Sequence, residues 1–373
     1  MSWSGPKWKV LVLGARWDKC YVPIYEASGR GRRVPLLKTL MTNSCRNECL
    51  YCAFRCHSAR HKLAWKPDKL ARVAFRLWRE GRIEGVFLSS SIPSDPDRSV
   101  ELELEATRIL RSMGFTGYVH LRLMPGVSWH LVEEAAELAD RMGVNLEAPT
   151  SDMFDEICPD KGSFRDDVLK RLLWAKRAAE KATREGAKPP YGACRAGLDT
   201  QMIVGATEDS DLEFLATIDW LYKELGLRRV YLSPFTPVLG TPLEGRSPCP
   251  PRRVLRLYQA SFLLRDYGIA LEELLELLGP DGRLPDGDPK VLLAEAQAGR
   301  FPVDPNEASY WELLRVPGIG PSSAKRIMAL RESGREVRDF WDLVALVGRK
   351  RALRAIRYLD LGRAGLSAYT TGK

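Results

Sequence analysis

Four of the chain's eight cysteines, Cys45, Cys49, Cys52 and Cys56, fall within twelve residues. The first three stand in a C-x3-C-x2-C arrangement directly after the apolar run Val34 to Met41. In a chain of intracellular character, thiolates this crowded bind a metal or a cluster rather than pair as disulfides. Three ligands at this spacing suit a four-iron cluster in which one iron has no protein ligand. Zinc is the competing reading, with Cys56, His57 and His61 as further donors. Zinc sites more often draw on two separate cysteine knuckles, and the sequence has no second pair. Cys56 reads most simply as an incidental loop cysteine. Cys20, Cys158, Cys194 and Cys249 are scattered singly, as small core residues are.

The elements that must position the cysteine loop follow a regular alternation. Val34–Thr42 is a β-like run, and Pro67–Glu80 has helical periodicity. Strand-like and helix-like stretches then alternate through 85–90, 97–113, 117–123, 129–142, 143–148, 164–185, 198–204, 211–225, 229–233 and 252–267. Six β-then-α units in succession predict an α/β fold, a parallel and partly closed sheet covered by helices. Ligands of such sheets gather at the carboxyl edge, and the cysteine loop follows the first strand onto that edge. The expected boundaries are an N-terminal extension over 1–33, the β/α domain over 34–268, a connector over 269–305 rich in Pro and Gly turn signals, and a C-terminal domain over 306–373. Within the extension, Lys9–Gly14 reads as a short strand and Ser28–Arg33 as a basic loop.

With 373 residues, 45% hydrophobic and 28% charged, the chain is of ordinary globular composition. No uncharged apolar run approaches membrane-spanning length and no signal-like segment opens the chain, so the expected location is cytoplasmic. The net charge is +9, and Tyr310–Lys373 holds thirteen Lys/Arg against six Asp/Glu, or +7 of it. Such concentration is the footprint of a nucleic-acid-binding module.

A C-x3-C-x2-C loop after the first strand of a six-unit β/α sheet resembles the radical SAM superfamily, over roughly residues 34–268. The resemblance implies a partial (β/α)6 barrel. It also implies a [4Fe–4S] cluster on Cys45, Cys49 and Cys52, whose open iron chelates S-adenosylmethionine. One electron then breaks a carbon–sulfur bond and yields a 5′-deoxyadenosyl radical. Tyr51 occupies the family's aromatic position before the last cysteine, beside the bound nucleoside. Where many members carry a Gly-Gly-Glu-like motif, this chain reads Ser89-Ser90-Ser91, whose hydroxyls or carbonyls are left to accept from the methionine ammonium. On the third strand His120 and Arg122 share a face, and the Arg122 guanidinium suits the methionine carboxylate. Asn145 and Glu147 share a face of the fourth strand and suit the ribose hydroxyls or the amino group. Gly205, followed by Glu208, matches the fifth-strand pattern in which a glycine lets the backbone approach the adenine.

Tyr310 to Ile327, through Val316-Pro317-Gly318-Ile319-Gly320, resembles a helix-hairpin-helix. Gly318, Ile319 and Gly320 form its turn. Backbone N–H groups there converge at the N-terminus of the second helix, where phosphate binds, and Lys325 and Arg326 lie one turn along. A degenerate second copy follows over 342–356. A DNA glycosylase with a structural cluster is the wrong order: its cluster cysteines follow the hairpin, and here none does.

The order of modules, with stretches such as Pro35–Asn43, Glu84–Ser90, Met202–Glu208, Tyr231–Pro237 and Leu313–Gly320, resembles the radical SAM family assigned to DNA modification or repair. That family is encoded beside a uracil-DNA-glycosylase-like protein. The resemblance implies radical chemistry on DNA, with a reductant and that protein as partners. The same chemistry on RNA or tRNA, and a non-catalytic iron–sulfur protein that binds nucleic acid, are the alternatives.

Overall fold

The computed structural model describes residues 24–29, 32–185 and 191–362. The expected strand at Lys9–Gly14 and the cysteine at position 20 lie outside these residues. The described residues form two compact units. One holds those up to Asp209 together with Trp220–Pro250, and the other holds Ser210–Asp219 together with those from Pro251 onward.

In the first unit seven strands make one sheet in sequence order: β1 Ile24–Gly29, β2 Arg32–Leu40, β3 Gly85–Ser89, β4 Tyr118–Leu123, β5 Arg141–Val144, β6 Leu198–Val204 and β7 Arg229–Pro234. From β2 to β7 every pairing is parallel, and the six strands curl into a half-barrel. Of the expected basic loop at 28–33, Ser28 and Gly29 belong instead to β1 and Arg32 and Arg33 to β2, and β1 pairs antiparallel with β2 from Ile24↔Leu37 to Gly29↔Arg32.

Parallel strands covered on both faces carry continuous apolar runs. β4 is buried on both faces from Val119 to Leu123, but His120 and Arg122 interrupt its apolar run. The covering helices have sequence-encoded starts and faces. Helix Pro67–Arg79 begins with Pro at its first position and buries Leu70, Ala71, Ala74 and Leu77 on one stripe. Helix Pro96–Ser112 is capped by Asp95, whose carboxylate accepts from Arg98 N at 2.8 Å. The expected third helix to Met142 ends earlier, at Leu138, and β5 takes up Arg141–Val144.

The second unit holds the first part of helix Asp211–Lys223 and the α-helices Pro251–Asp266, Leu271–Leu275, Pro289–Ala296, Tyr310–Arg315, Pro321–Glu332, Phe340–Val347 and Arg349–Ala355. Ser309 and Glu312 form a reciprocal capping box at the start of 310–315. Leu313, Leu314, Val316, Ile319, Ile327, Leu343, Val347 and Ala352 share the core that closes around the hairpin turn. Arg315 ties this helix to 271–275 through Glu273 at 2.6 Å, and that hydrogen-bonded pairing holds the Glu273 carboxyl down at about 2. No helix among the described residues is long and apolar enough to cross a membrane.

Candidate active site

The loop after β2 is tied down at both ends by its own polar side chains. Asn43 Nδ2 donates to His61 O at 2.8 Å, and Asn43 Oδ1 accepts from Leu63 N at 2.6 Å. Thr42 Oγ1 donates to Leu63 O at 2.9 Å. Across the loop, Leu50 N reaches Ile157 O at 2.9 Å, and Glu48 N reaches Asp160 Oδ1 at 2.8 Å. These bonds fix the cysteines before anything binds them, which is the preorganisation a ligand site needs.

A cavity of about 260 Å³ opens at the carboxyl ends of β2 to β7. Cys45, Cys49 and Cys52 all line it, together with Tyr51 and Ser89, Ser90 and Ser91. Arg122, Asn145 and Glu147 line it as well, so most of the residues that the sequence singles out meet in one place. Cys56 does not line it, and neither does Gly205. Gly205 has φ of 83°, and a Cβ there would come within 2.8 Å of Cys249 Cβ. Its lack of a side chain thus serves packing against Cys249.

The polar walls differ from the expected strand geometry. β5 ends at Val144, so Asn145 and Glu147 lie beyond it, and Glu147 is held at φ of 65°. Its backbone still bridges to β6: Glu147 N donates to Gln201 O at 2.9 Å, and its carbonyl accepts from Ile203 N at 2.7 Å. A non-glycine residue in the left-handed region is strained, and such strain gathers at working sites. Asn145 Nδ2 donates to Glu147 Oε1 at 3.3 Å, so the two side chains do meet. Asn145 Oδ1 is buried with no hydrogen-bond partner.

Three contributors escape sequence reading. Lys161 pairs with Glu147 inside the cavity wall. Asp199, fully buried on β6, lies 2.6 Å from Arg122 Nη1 and 2.9 Å from His120 Nε2. Arg122 is therefore buried and engaged with Asp199 at the cavity wall. Room for Asp199 comes from Gly143, where a Cβ would fall 2.3 Å from Asp199 Oδ1. Cys158 approaches the cysteine loop, with its Sγ 4.0 Å from Tyr51 Oη. An isolated Asp in a strand was a readable signal for Asp199. Nothing in the local sequence marks Cys158 or Lys161.

Electrostatics follow burial. Burial alone raises the Asp199 carboxyl, yet Arg122 and His120 together hold it at about 2. Burial drives the His120 imidazole down to about 4, against the pull of Asp199, and the ring stacks on Phe87 at 4.0 Å. Burial pushes the Cys52 thiol up to about 12 and the Tyr51 hydroxyl well above the usual phenol range. The hydrogen bond from Cys158 holds the Cys49 thiol below its ordinary value.

The donor set fits an iron–sulfur cluster. Three thiols and no imidazole line the cavity, and sulfur donors select such clusters. The unpartnered Asn145 oxygen beside the Glu147 carboxylate offers acceptors to a polar ligand in the same cavity.

In the second unit Gly318 has φ of 96°, and Ile319 is buried in the core. Gly320 is the N-cap of helix 321–332, and Lys325 and Arg326 are exposed on its first turns. Half-buried Lys290 donates to Ile319 O, and desolvation brings its ammonium down to about 7. The second hairpin turns at Gly348, with φ of 85°, between helices 340–347 and 349–355.

Family comparisons agree with these two arrangements. Residues 39–183 match the radical SAM superfamily, and residues 301–350 match the helix-hairpin-helix motif. No curated protein matches the chain. Solved structures that resemble it include the FeFe-hydrogenase maturase HydG from Carboxydothermus hydrogenoformans, at 17% identity and a TM-score of 0.46 over 61% of this chain and 50% of that one. Methylornithine synthase (PylB) aligns at 18% identity and a TM-score of 0.47 over 63% and 64%. A further HydG structure aligns at 11% identity and 0.48 over 86% and 76%. The chain thus covers half the length of the first of these and 64% of the second.

Proposed function

Because the chain carries a radical SAM domain and ends in a helix-hairpin-helix motif, we propose that it is a radical SAM enzyme acting on DNA, in modification or repair. The enzyme class brings a [4Fe–4S] cluster and S-adenosylmethionine as cofactors. When bound, they supply one-electron cleavage of a carbon–sulfur bond and a 5′-deoxyadenosyl radical. The observation that carries the reading is the convergence of Cys45, Cys49 and Cys52, without Cys56, on one cavity at the sheet's carboxyl edge.

In this reading the three thiols give up their protons and hold the cluster as thiolates. Asn145 Oδ1 and the Glu147 carboxylate accept hydrogen bonds from the ribose hydroxyls or the methionine ammonium. Lys161 pairs with Glu147 and fixes its carboxylate in the cavity wall. Ser89, Ser90 and Ser91 line the same wall, and Tyr51 packs beside the nucleoside. Arg122, held by Asp199, presents positive charge toward the carboxylate end. The apolar walls limit water near a reactive intermediate. Gly318, Ile319 and Gly320 present backbone N–H groups to a phosphate, with Lys325 and Arg326 adding charge. Contacts of this kind go to the backbone and read little sequence. A base within a duplex would be unstacked before it reached a cavity. A reductant supplies the electron, and a uracil-DNA-glycosylase-like protein is the partner.

The test is anaerobic reconstitution followed by dithionite and S-adenosylmethionine, run in parallel with duplex DNA, damaged DNA and tRNA. We expect about four irons per chain and 5′-deoxyadenosine formation stimulated by DNA. Stimulation by tRNA alone moves the substrate to RNA. A full cluster that yields no 5′-deoxyadenosine with any substrate overturns the enzyme reading. A Cys49→Ala chain that keeps its iron overturns the ligand assignment.

A further inference from the structure

Cys56 is the cysteine of the loop that the cavity leaves out, and it has company of its own. Its thiol donates to Glu48 Oε1 at 3.2 Å. The same carboxylate oxygen lies 2.8 Å from His57 Nε2. One ligand atom from each of the three residues lies within 4.8 Å of the others.

We propose that Glu48, Cys56 and His57 form a second metal site, distinct from the cavity thiols, for a borderline-soft divalent cation of which zinc is the best fit. A thiol and an imidazole in the donor set turn the site away from magnesium and calcium, which take oxygen. Zinc bonds of about 2.0–2.3 Å in a tetrahedral site put ligand atoms roughly 3.3–3.8 Å apart. The separations of 2.8 and 3.2 Å to Glu48 Oε1, with the third within 4.8 Å, reach that spacing with side-chain shifts of about 1 Å. Three protein ligands leave a fourth position for water, the pattern of open zinc sites. On binding, one proton leaves Cys56 for solvent.

The backbone already holds two of the ligands in place. Cys56 N donates to Asn47 O at 2.9 Å, and Glu48 N donates to both Asp160 carboxylate oxygens, at 2.8 and 2.9 Å. Arg55 Nη2 stands 4.0 Å from Glu48 Oε2, which leaves Oε1 to the thiol and the imidazole. Such outer contacts aim the ligating atom. The His57 side chain is 77% exposed, so a cation reaches the site from solvent without any opening of the fold. The site also has a structural consequence. Glu48 precedes Cys49 and Cys56 follows Cys52, so a bound cation closes the 48–56 segment that carries two of the three cavity thiols, Cys49 and Cys52.

Two measurements test this on the full-length chain. In a Cys45→Ala/Cys49→Ala/Cys52→Ala variant, which has no cavity thiol to bind metal, Co2+ is titrated and followed by absorption. We expect one equivalent with a thiolate-to-cobalt charge-transfer band, displaced by Zn2+, and loss of that band when Cys56→Ser is added. In wild-type protein carrying its cluster, elemental analysis after Zn2+ addition and desalting should find about one zinc per chain beside the iron. His57→Ala, a change at an exposed ring, should lower zinc affinity at least tenfold while the iron is retained. A missing cobalt band, a band that survives Cys56→Ser, or zinc affinity unchanged by His57→Ala overturns the proposal. The first measurement needs no cluster, so its failure is separate from failure of the radical SAM site.

Discussion

The Glu147 carboxylate is paired with the Lys161 ammonium, and the two side chains are only 3% and 13% exposed. A buried pair of this kind is weak evidence for stability, because desolvation of both charges offsets their attraction. Breaking it is a different matter, since one charge then stays buried alone. Lys161→Met should therefore destabilise the first unit by about 3–5 kcal/mol. Adding Glu147→Gln to Lys161→Met should recover most of that loss. Urea unfolding of the two single variants and the double variant measures the coupling. Additive effects would mean that the pair is not coupled.

Two buried groups near β4 oppose each other over one pH range. His120 sits at about 4 against an ordinary 6.5, so between those values the unfolded chain binds the extra proton. Stability from this group falls as pH drops through the window, by roughly 3 kcal/mol at about 1.4 kcal/mol per unit. Glu103 has the reverse sign. Burial raises its carboxyl well above 4.5, and neither of its oxygens has a hydrogen-bond partner. Its contribution is fully present below 4.5 and is lost as pH rises. The wild-type profile between about pH 4.5 and 6.5 should accordingly be shallow. His120→Gln should tilt it toward lower stability at higher pH, and Glu103→Gln should tilt it the other way. Urea midpoints across that range decide, and parallel profiles for all three proteins would contradict the assignment.

Local signals carried the fold. Leu70, Ala74 and Leu77 recur at helical spacing, Asp95 and Ser309 cap the helices that they precede, and β3, β4, β6 and β7 read as strand-like runs within a residue of their bounds, whereas the short β5 was read too late. The cysteine spacing likewise marked three of the cavity's residues. What escaped is set by long-range register. Asp199 meets His120 and Arg122 only because β5 is short and glycine at 143 lets β6 close in. Lys161 reaches the cavity and Cys158 reaches Tyr51, 107 residues earlier in the chain, through a helix and turn inserted after β5. The left-handed backbone of Glu147 was equally hidden, since glutamate gives no local hint of positive φ.

Gly318 answers a steric demand that can be separated from its backbone angle. At φ of 96° any side chain is strained, and a Cβ would also stand 2.6 Å from Arg351 O in the second hairpin. Gly334 provides the comparison, because its φ of 74° is equally unfavourable but nothing lies within 4 Å. Gly334→Ala should cost about 1–2 kcal/mol, the left-handed penalty alone. Gly318→Ala should cost more than that, because backbone must move as well. Calorimetric midpoints of the two variants test the difference, and equal losses would remove the steric argument.

Lys325 and Arg326 are exposed beyond the Gly318–Gly320 turn, and neither forms an ion pair among the described residues. Their charge is free to meet phosphate, which makes the proposed DNA contact measurable as counterion release. Each phosphate neutralised on a duplex adds about −0.9 to the slope of log K against log salt. Lys325→Ala/Arg326→Ala should therefore flatten the slope by about 1.8 and weaken binding alike on unrelated duplexes, since backbone contacts carry no sequence information. Fluorescence anisotropy with a labelled duplex across a potassium chloride series gives both quantities. The helix itself should survive, because both side chains face solvent and its buried side is Ser323, Ala324 and Ile327. An unchanged slope would mean that the basic C-terminal unit meets DNA elsewhere or serves another partner.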